Sequence, residues 1–178
     1  MRHRRWPLAV AVVATALVVF TAQAALGVIK TKTGKGVKAT VAVTETAAST
    51  TSSLSFVNLP GATATITVAS GTTAFLLARF SAESACYGGG AATDWCSVRM
   101  LVNGGFEFDP PSGADFAFDS PESGSEATPS YESHAIERAF GPLNAGTYTV
   151  TLQRRVLDPD IVFHLDDWAF IVQSIKIS

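Results

Sequence analysis

The strongest constraint on what this chain folds into is the alternation in Thr147-Tyr148-Thr149-Val150-Thr151-Leu152-Gln153. Tyrosine, valine and leucine fall on one face of an extended chain, and the threonines and glutamine on the other. That is the two-residue period of a strand with one face in a core and one in water. Short runs rich in β-branched and aromatic residues recur at 54–59, 62–69, 73–84, 96–103, 131–140, 146–157 and 161–177. Pro60-Gly61, Ser70-Gly71, Asn103-Gly104-Gly105 and Asn144-Ala145-Gly146 separate them, glycine and asparagine tolerating the positive φ of tight turns. The last run is long for one strand, and Asp166-Asp167 divides it into 161–165 and 168–177. Seven or eight short strands without a sustained helical period specify an all-β fold, an antiparallel β-sandwich. The Cys…Trp…Cys framework of immunoglobulin domains is missing, which favours a jelly-roll-like arrangement.

Ahead of the strands lies an export signal. Arg2, Arg4 and Arg5 form a basic start, and an apolar stretch then runs from Pro7 with no charge until Lys30. Ala22-Gln23-Ala24 supplies the small residues that signal peptidase accepts, so residues 1–24 read as a signal peptide cut after Ala24. The competing reading keeps the segment as a membrane anchor. Either way, the remainder lies outside the cytoplasm, with membrane contact only through an uncleaved signal.

Cleavage removes three of the 13 basic residues and none of the 15 acidic ones, leaving a net charge of −5. Lys30, Lys32, Lys35 and Lys38 crowd into the new N-terminus, so the body is more acidic still. Nucleic acid is thereby excluded as a partner, because phosphates need a basic face. Residues 25–53, rich in lysine, threonine, alanine and serine, have too little apolar surface to offset their ordering entropy and read as a flexible tether. Within them, 37–43 alternates enough for a first strand. The sandwich is expected over 54–178. Cys86 and Cys96, flanking a glycine-rich segment, are expected to form a disulfide in an oxidising compartment. Residues 109–130, with four prolines and five acids, read as a long surface loop.

Catalytic chemistry finds little footing. After cleavage His134 and His164 are the available imidazoles, no G-x-S-x-G elbow exists, and both cysteines are committed to the bridge. Glycoside hydrolysis requires only two opposed carboxylates, for which Glu83, Glu107, Glu137, Asp166 and Asp167 are the first candidates. Catalytic residues are not assigned. No cofactor is required, although a structural calcium is conceivable at Asp158, Asp160, Asp166 and Asp167, with Asp109, Asp115 and Asp119 recurring in the long loop. For ligand binding, Tyr87 and Trp95 beside the bridge are the leading aromatics, followed by Phe106, Phe108, Phe116 and Phe118. Arg79, Arg99 and Arg138 lie near Glu83, Glu107 or Glu137 and are expected to pair with them.

At Phe80-Ser81-Ala82-Glu83-Ser84-Ala85-Cys86, Cys96-Ser97-Val98-Arg99, Ala145-Gly146-Thr147-Tyr148-Thr149-Val150 and Leu165-Asp166-Asp167-Trp168, the chain resembles exported proteins of high-GC Gram-positive bacteria to which no activity is assigned. The resemblance spans residues 61–177 and implies an extracytoplasmic β-sandwich scaffold without a transferable site. In outline the chain is also similar to jelly-roll modules that bind sugars or assemble as trimers. The resulting expectation is a non-enzymatic secreted or envelope-associated module that binds a polysaccharide or a surface protein through loops at one end of the sandwich. A homo-oligomeric structural protein and a carboxylate-dependent glycosidase are the alternatives.

Overall fold

Among the described residues nine strands form, in chain order β1 (Val37–Glu45), β2 (Ser49–Thr51), β3 (Val57–Val68), β4 (Ala74–Gly88), β5 (Cys96–Val102), β6 (Phe106–Glu107), β7 (Glu132–Leu143), β8 (Gly146–Val156) and β9 (Ile161–Lys176). The structure, a computed structural model, describes residues 31–89, 93–112, 116–121 and 128–177, so the expected signal at 1–24 lies outside it. All regular structure among the described residues is strand.

The strands make two antiparallel sheets. Sheet A has the order β1-β9-β4-β7, with β2 continuing the β1 side of β9, and sheet B has the order β3-β8-β5-β6. Counting β1 and β2 as one interrupted edge strand, the chain folds back on itself from its two ends inward. β1 pairs with β9, β3 with β8, β4 with β7, and β5 with β6. Those four nested pairs are then joined within each sheet by β9 to β4 and β8 to β5, which is the eight-stranded jelly roll the sequence pointed to.

Alternation decides which side chains lie between the sheets. From sheet A come Leu76, Ala78, Phe80, Phe163, Leu165, Trp168, Phe170 and Val172, and from sheet B Ala64, Ile66, Val98, Met100, Val150 and Leu152, all nearly inaccessible to solvent. Each large side chain so buried contributes about 1.5–3 kcal/mol. The inner spacing along β9 skips from Leu165 to Trp168. Ser81 faces Ala169 and Glu83 faces Asp166, so β9 carries one extra residue there. Asp167, at φ 42°, is that residue, and the Asp166 carboxylate accepts its N–H at 2.8 Å. Asp166-Asp167 is therefore a β-bulge within one strand, not a break between two. It resets the phase so that both halves of β9 keep their apolar residues inward. Pro60-Gly61 acts alike: 54–59 and 62–69 were expected as separate strands, yet β3 runs through, with a register shift between Asn58 and Thr63. Proline has no N–H for the ladder and is tolerated where the ladder is interrupted.

The tether expected over 25–53 is not free over its second half. β1 and β2 are hydrogen-bonded to β9, and Ala39, Val41 and Val43 pack against the core. Even residue 35 is bound, its N–H donating to the Lys176 carbonyl at 2.6 Å. Small residues suffice because β9 offers a ready row of backbone partners, so the ladder supplies what side-chain burial does not.

Two features tie the sheets together. Cys86 at the end of β4 and Cys96 at the start of β5 form the expected disulfide across the layers. Arg154 on β8 points inward and is 3% exposed. Its guanidinium reaches β2 in the opposite sheet, donating to the Ser49 carbonyl, to Ser49 Oγ at 2.6 Å and to the Thr50 carbonyl at 2.9 Å. Burial without a counter-ion lowers its pKa to about 10, which still leaves it charged at neutral pH.

Candidate functional site: a cleft at the turn end of the sandwich

The two ends of the sandwich differ in what they display. At the disulfide end, Tyr87 and Trp95 are half-buried, and the indole N–H of Trp95 is enclosed without a partner. The Asp158–Asp160 turn closes beside them, with the Asp160 N–H donating to Asp158 Oδ1 at 2.8 Å. A Cβ at Gly88, φ 119°, would collide with the Asp160 carbonyl, so this end is tightly closed. Asp166 and Asp167 sit at the bulge along β9. Among the described residues, no three His, Cys, Asp or Glu side chains converge as metal ligands. Of the loop acids, Asp119 accepts from Ser84 at 2.7 Å, Asp109 faces Lys32 at 3.3 Å, and Asp115 lies outside the described residues.

The opposite end is open. Three connections meet there: the β5–β6 turn, with Asn103 at φ 49°, the β7–β8 turn, and the segment after β6. The peptide bonds Asp109-Pro110 and Gly141-Pro142 are both cis, and a pair of backbone hydrogen bonds between Asp109 and Ala139 ties the segment after β6 to β7. Between the turns lies a cleft of about 400 Å³ lined by Asn103, Phe106, Asp109, Phe140, Pro142 and Tyr148, among others. Phe106, 65% exposed, is the most exposed of the large apolar side chains. Its ring leans on Phe140 at 6.2 Å between centroids, and Phe140 leans on the buried Phe108 at 5.6 Å, so the exposed ring is backed by a fixed aromatic column.

A second, larger cleft of about 570 Å³ adjoins the first through Asp109. Its floor is Phe75, Leu77 and Ala139 on the outer face of sheet A, and its wall is Pro110 and Pro111. Lys32 divides the two, its ammonium lying 3.3 Å from both the Asp109 carboxylate and the Gly141 carbonyl. Concave surfaces, mostly apolar with a few fixed polar groups, are the usual form of a ligand site.

Comparison with known proteins adds little to this geometry. No family model matches the chain, and no curated protein does. Among solved structures the chain is similar to dimeric latent PorU from Porphyromonas gingivalis, at 13% identity and a TM-score of 0.32. That match covers 82% of this chain but only 14% of the other, and it is too slight to carry an argument.

Groups suited to hydrolysis are placed unfavourably. Ser84, His134 and Asp119 do meet, beside a polar recess of about 360 Å³. The Ser84 hydroxyl, fully buried, donates to Asp119 Oδ2 at 2.7 Å and lies 2.9 Å from His134 Nδ1. A nucleophile needs its proton taken by the imidazole while the carboxylate orients the other ring nitrogen. Here the serine hydroxyl directs its hydrogen bond to the carboxylate and has no surface to offer a substrate, so the trio ties the long loop to β4. Of the expected glycosidase pairs, Glu137 pairs with Arg79 at 2.7 Å, Glu107 accepts the Ser112 N–H, and Glu83 and Asp166 are neighbours on the outer face of sheet A.

The arginines answer the sequence reading in different ways. Arg79 makes its ion pair with Glu137. Arg138 stacks on Phe116, with burial lowering its pKa and the charge of Glu107 opposing that effect. Arg99 has no acid; it lies over Phe56 at 4.1 Å and donates to Gln153 at 2.8 Å. Sequence reasoning named Phe106 among the loop aromatics but ranked Tyr87 and Trp95 above it. It missed Phe140, which meets Phe106 only when β7 folds beside β6, and Lys32, which reaches Asp109 only when the N-terminal segment folds back.

Proposed function

We propose that the protein is a non-enzymatic, extracytoplasmic binding module that holds a polysaccharide in the cleft at the turn end of the sandwich. The observation that carries this reading is Phe106: a large ring left in solvent, braced from behind by Phe140, with Asn103 and Asp109 within the same cleft. Such a ring offers its face to the C–H face of a sugar, while the neighbouring amide and carboxylate take hydroxyls. Secretion or retention at the envelope is supported by the N-terminal signal pattern and by the Cys86–Cys96 disulfide, which is compatible with an extracytoplasmic location.

A glycan array probed with the chain after residue 24 tests the reading. Binding to one glycan class is expected, and Phe106→Ala is expected to weaken it about tenfold, the worth of one stacked ring. No binding anywhere on the array, or a variant that binds as the parent does, contradicts it.

A further inference from the structure

On the outer face of sheet B two cations share one ring. Arg99 on β5 and Arg155 on β8 project from that face as diagonal neighbours, because Arg155 is registered with Ser97 and Arg99 with Gln153. The guanidinium of Arg99 lies 4.1 Å from the centre of the Phe56 ring, and that of Arg155 lies 4.8 Å from it. The two charges are thus no farther apart than those distances laid end to end, well inside the range where like charges repel.

No acid among the described residues neutralises them. Among the described residues, neither arginine has a carboxylate within ion-pair distance, whereas Lys32 and Arg79 each have one. Glu107, on the strand next to β5, is engaged by the Ser112 N–H. The ring face offsets part of the repulsion, and the remainder persists in a body that is otherwise acidic. Geometry is fixed as well as charge. Asn58 accepts from Gln153 Nε2 at 2.8 Å, and Gln153 Oε1 accepts from Arg99 Nε at 2.8 Å. With its Nε held, Arg99 keeps its terminal N–H groups for something else, and among the described residues Arg155 has no partner besides the ring.

We infer that Phe56, Arg99 and Arg155 form an anion site that takes the carboxylate groups of an acidic, uronate-bearing polysaccharide. Guanidinium forks match the planar carboxylate, and two of them held side by side match a polymer that presents carboxylates repeatedly. The site lies on the sheet face, apart from the Phe106 cleft, and does not depend on it.

Calorimetric titration of the chain after residue 24 at low salt, with polygalacturonate as probe and neutral dextran as reference, tests the inference. Polygalacturonate is expected to bind where dextran does not. Arg99→Gln and Arg155→Gln are each expected to weaken it about tenfold, while Arg79→Gln, which removes a cation from the outer face of sheet A, leaves it unchanged. Thermal unfolding of each variant separates lost binding from lost fold. If the ring and its cations serve only to hold the segment before β3, both variants lower the melting temperature and polygalacturonate binds them as it binds the parent. That result, or polygalacturonate binding no better than dextran, overturns the inference.

Discussion

Arg154 shows how much a single side chain carries in this fold. It is a buried cation with no carboxylate partner, sustained by the hydroxyl and carbonyl groups of Ser49 and the Thr50 carbonyl. Removing it leaves those carbonyls without a donor and opens a space at the point where β2 meets β8. Hydrogen bonds from a charged donor are worth about 1.5–3 kcal/mol each. Desolvation offsets part of that sum, so Arg154→Ala is expected to cost about 3 kcal/mol in urea unfolding. A cost under about 0.5 kcal/mol, the ordinary range of a surface substitution, contradicts the clasp. From sequence, Arg154 is one polar residue in Gln153-Arg154-Arg155, and alternation alone puts it on the inner face beside Leu152 and Val156, where a charge is not expected. Its role emerges only with β2, which the sequence offered as tether.

Elements were legible in proportion to their side-chain contrast. β8, with threonines facing apolar residues, declares itself, as do β4 and β5. β1 shows only as the weak alternation at 37–43 and β2 does not show at all, because Val37–Glu45 and Ser49–Thr51 owe their order to backbone pairing with β9 more than to burial. The irregularities at Asp167 and at Pro60-Gly61 read as breaks because turn-forming residues look alike whether the chain reverses or merely shifts register. Loop aromatics at the ends of a sandwich are legible from sequence. Which of Tyr87, Trp95 and Phe106 is displayed is not, since that depends on which turn closes beside it. Deleting residues 37–51 discriminates the readings of this region. A tether would be dispensable, whereas removal of paired strands exposes the edge of β9 together with Val172 and Phe170. Loss of cooperative thermal unfolding, or aggregation, is the expected outcome; an unchanged melting temperature contradicts the pairing.

At the scale of the molecule, the nested pairing means that both ends of the chain must arrive before sheet A is complete, since β1 and β9 are neighbours. The disulfide helps by joining the layers early in the chain, between β4 and β5. Closing so short a loop is worth roughly 3 kcal/mol, and Cys86→Ser with Cys96→Ser is expected to lower stability by that order in denaturant. The acids are scattered: Asp158 and Asp160 in a turn, Asp166 and Asp167 at a bulge, each carboxylate at Asp158 and Asp166 bonded to a nearby backbone N–H. Calcium or EDTA is accordingly expected to move the melting temperature by less than about 1 °C, because a ligand stabilises only a fold that binds it. A calcium-dependent rise of several degrees contradicts that arrangement.

The account turns on which end of the sandwich meets the ligand. Calorimetric titration of Phe106→Ala, Tyr87→Ala and Trp95→Ala with the neutral glycan that the array selects compares the two ends in one measurement. The expected result is a loss of about tenfold for Phe106→Ala and parental affinity for the other two. Parental affinity in Phe106→Ala, with the loss in Tyr87→Ala or Trp95→Ala, places the site at the disulfide end and contradicts the account.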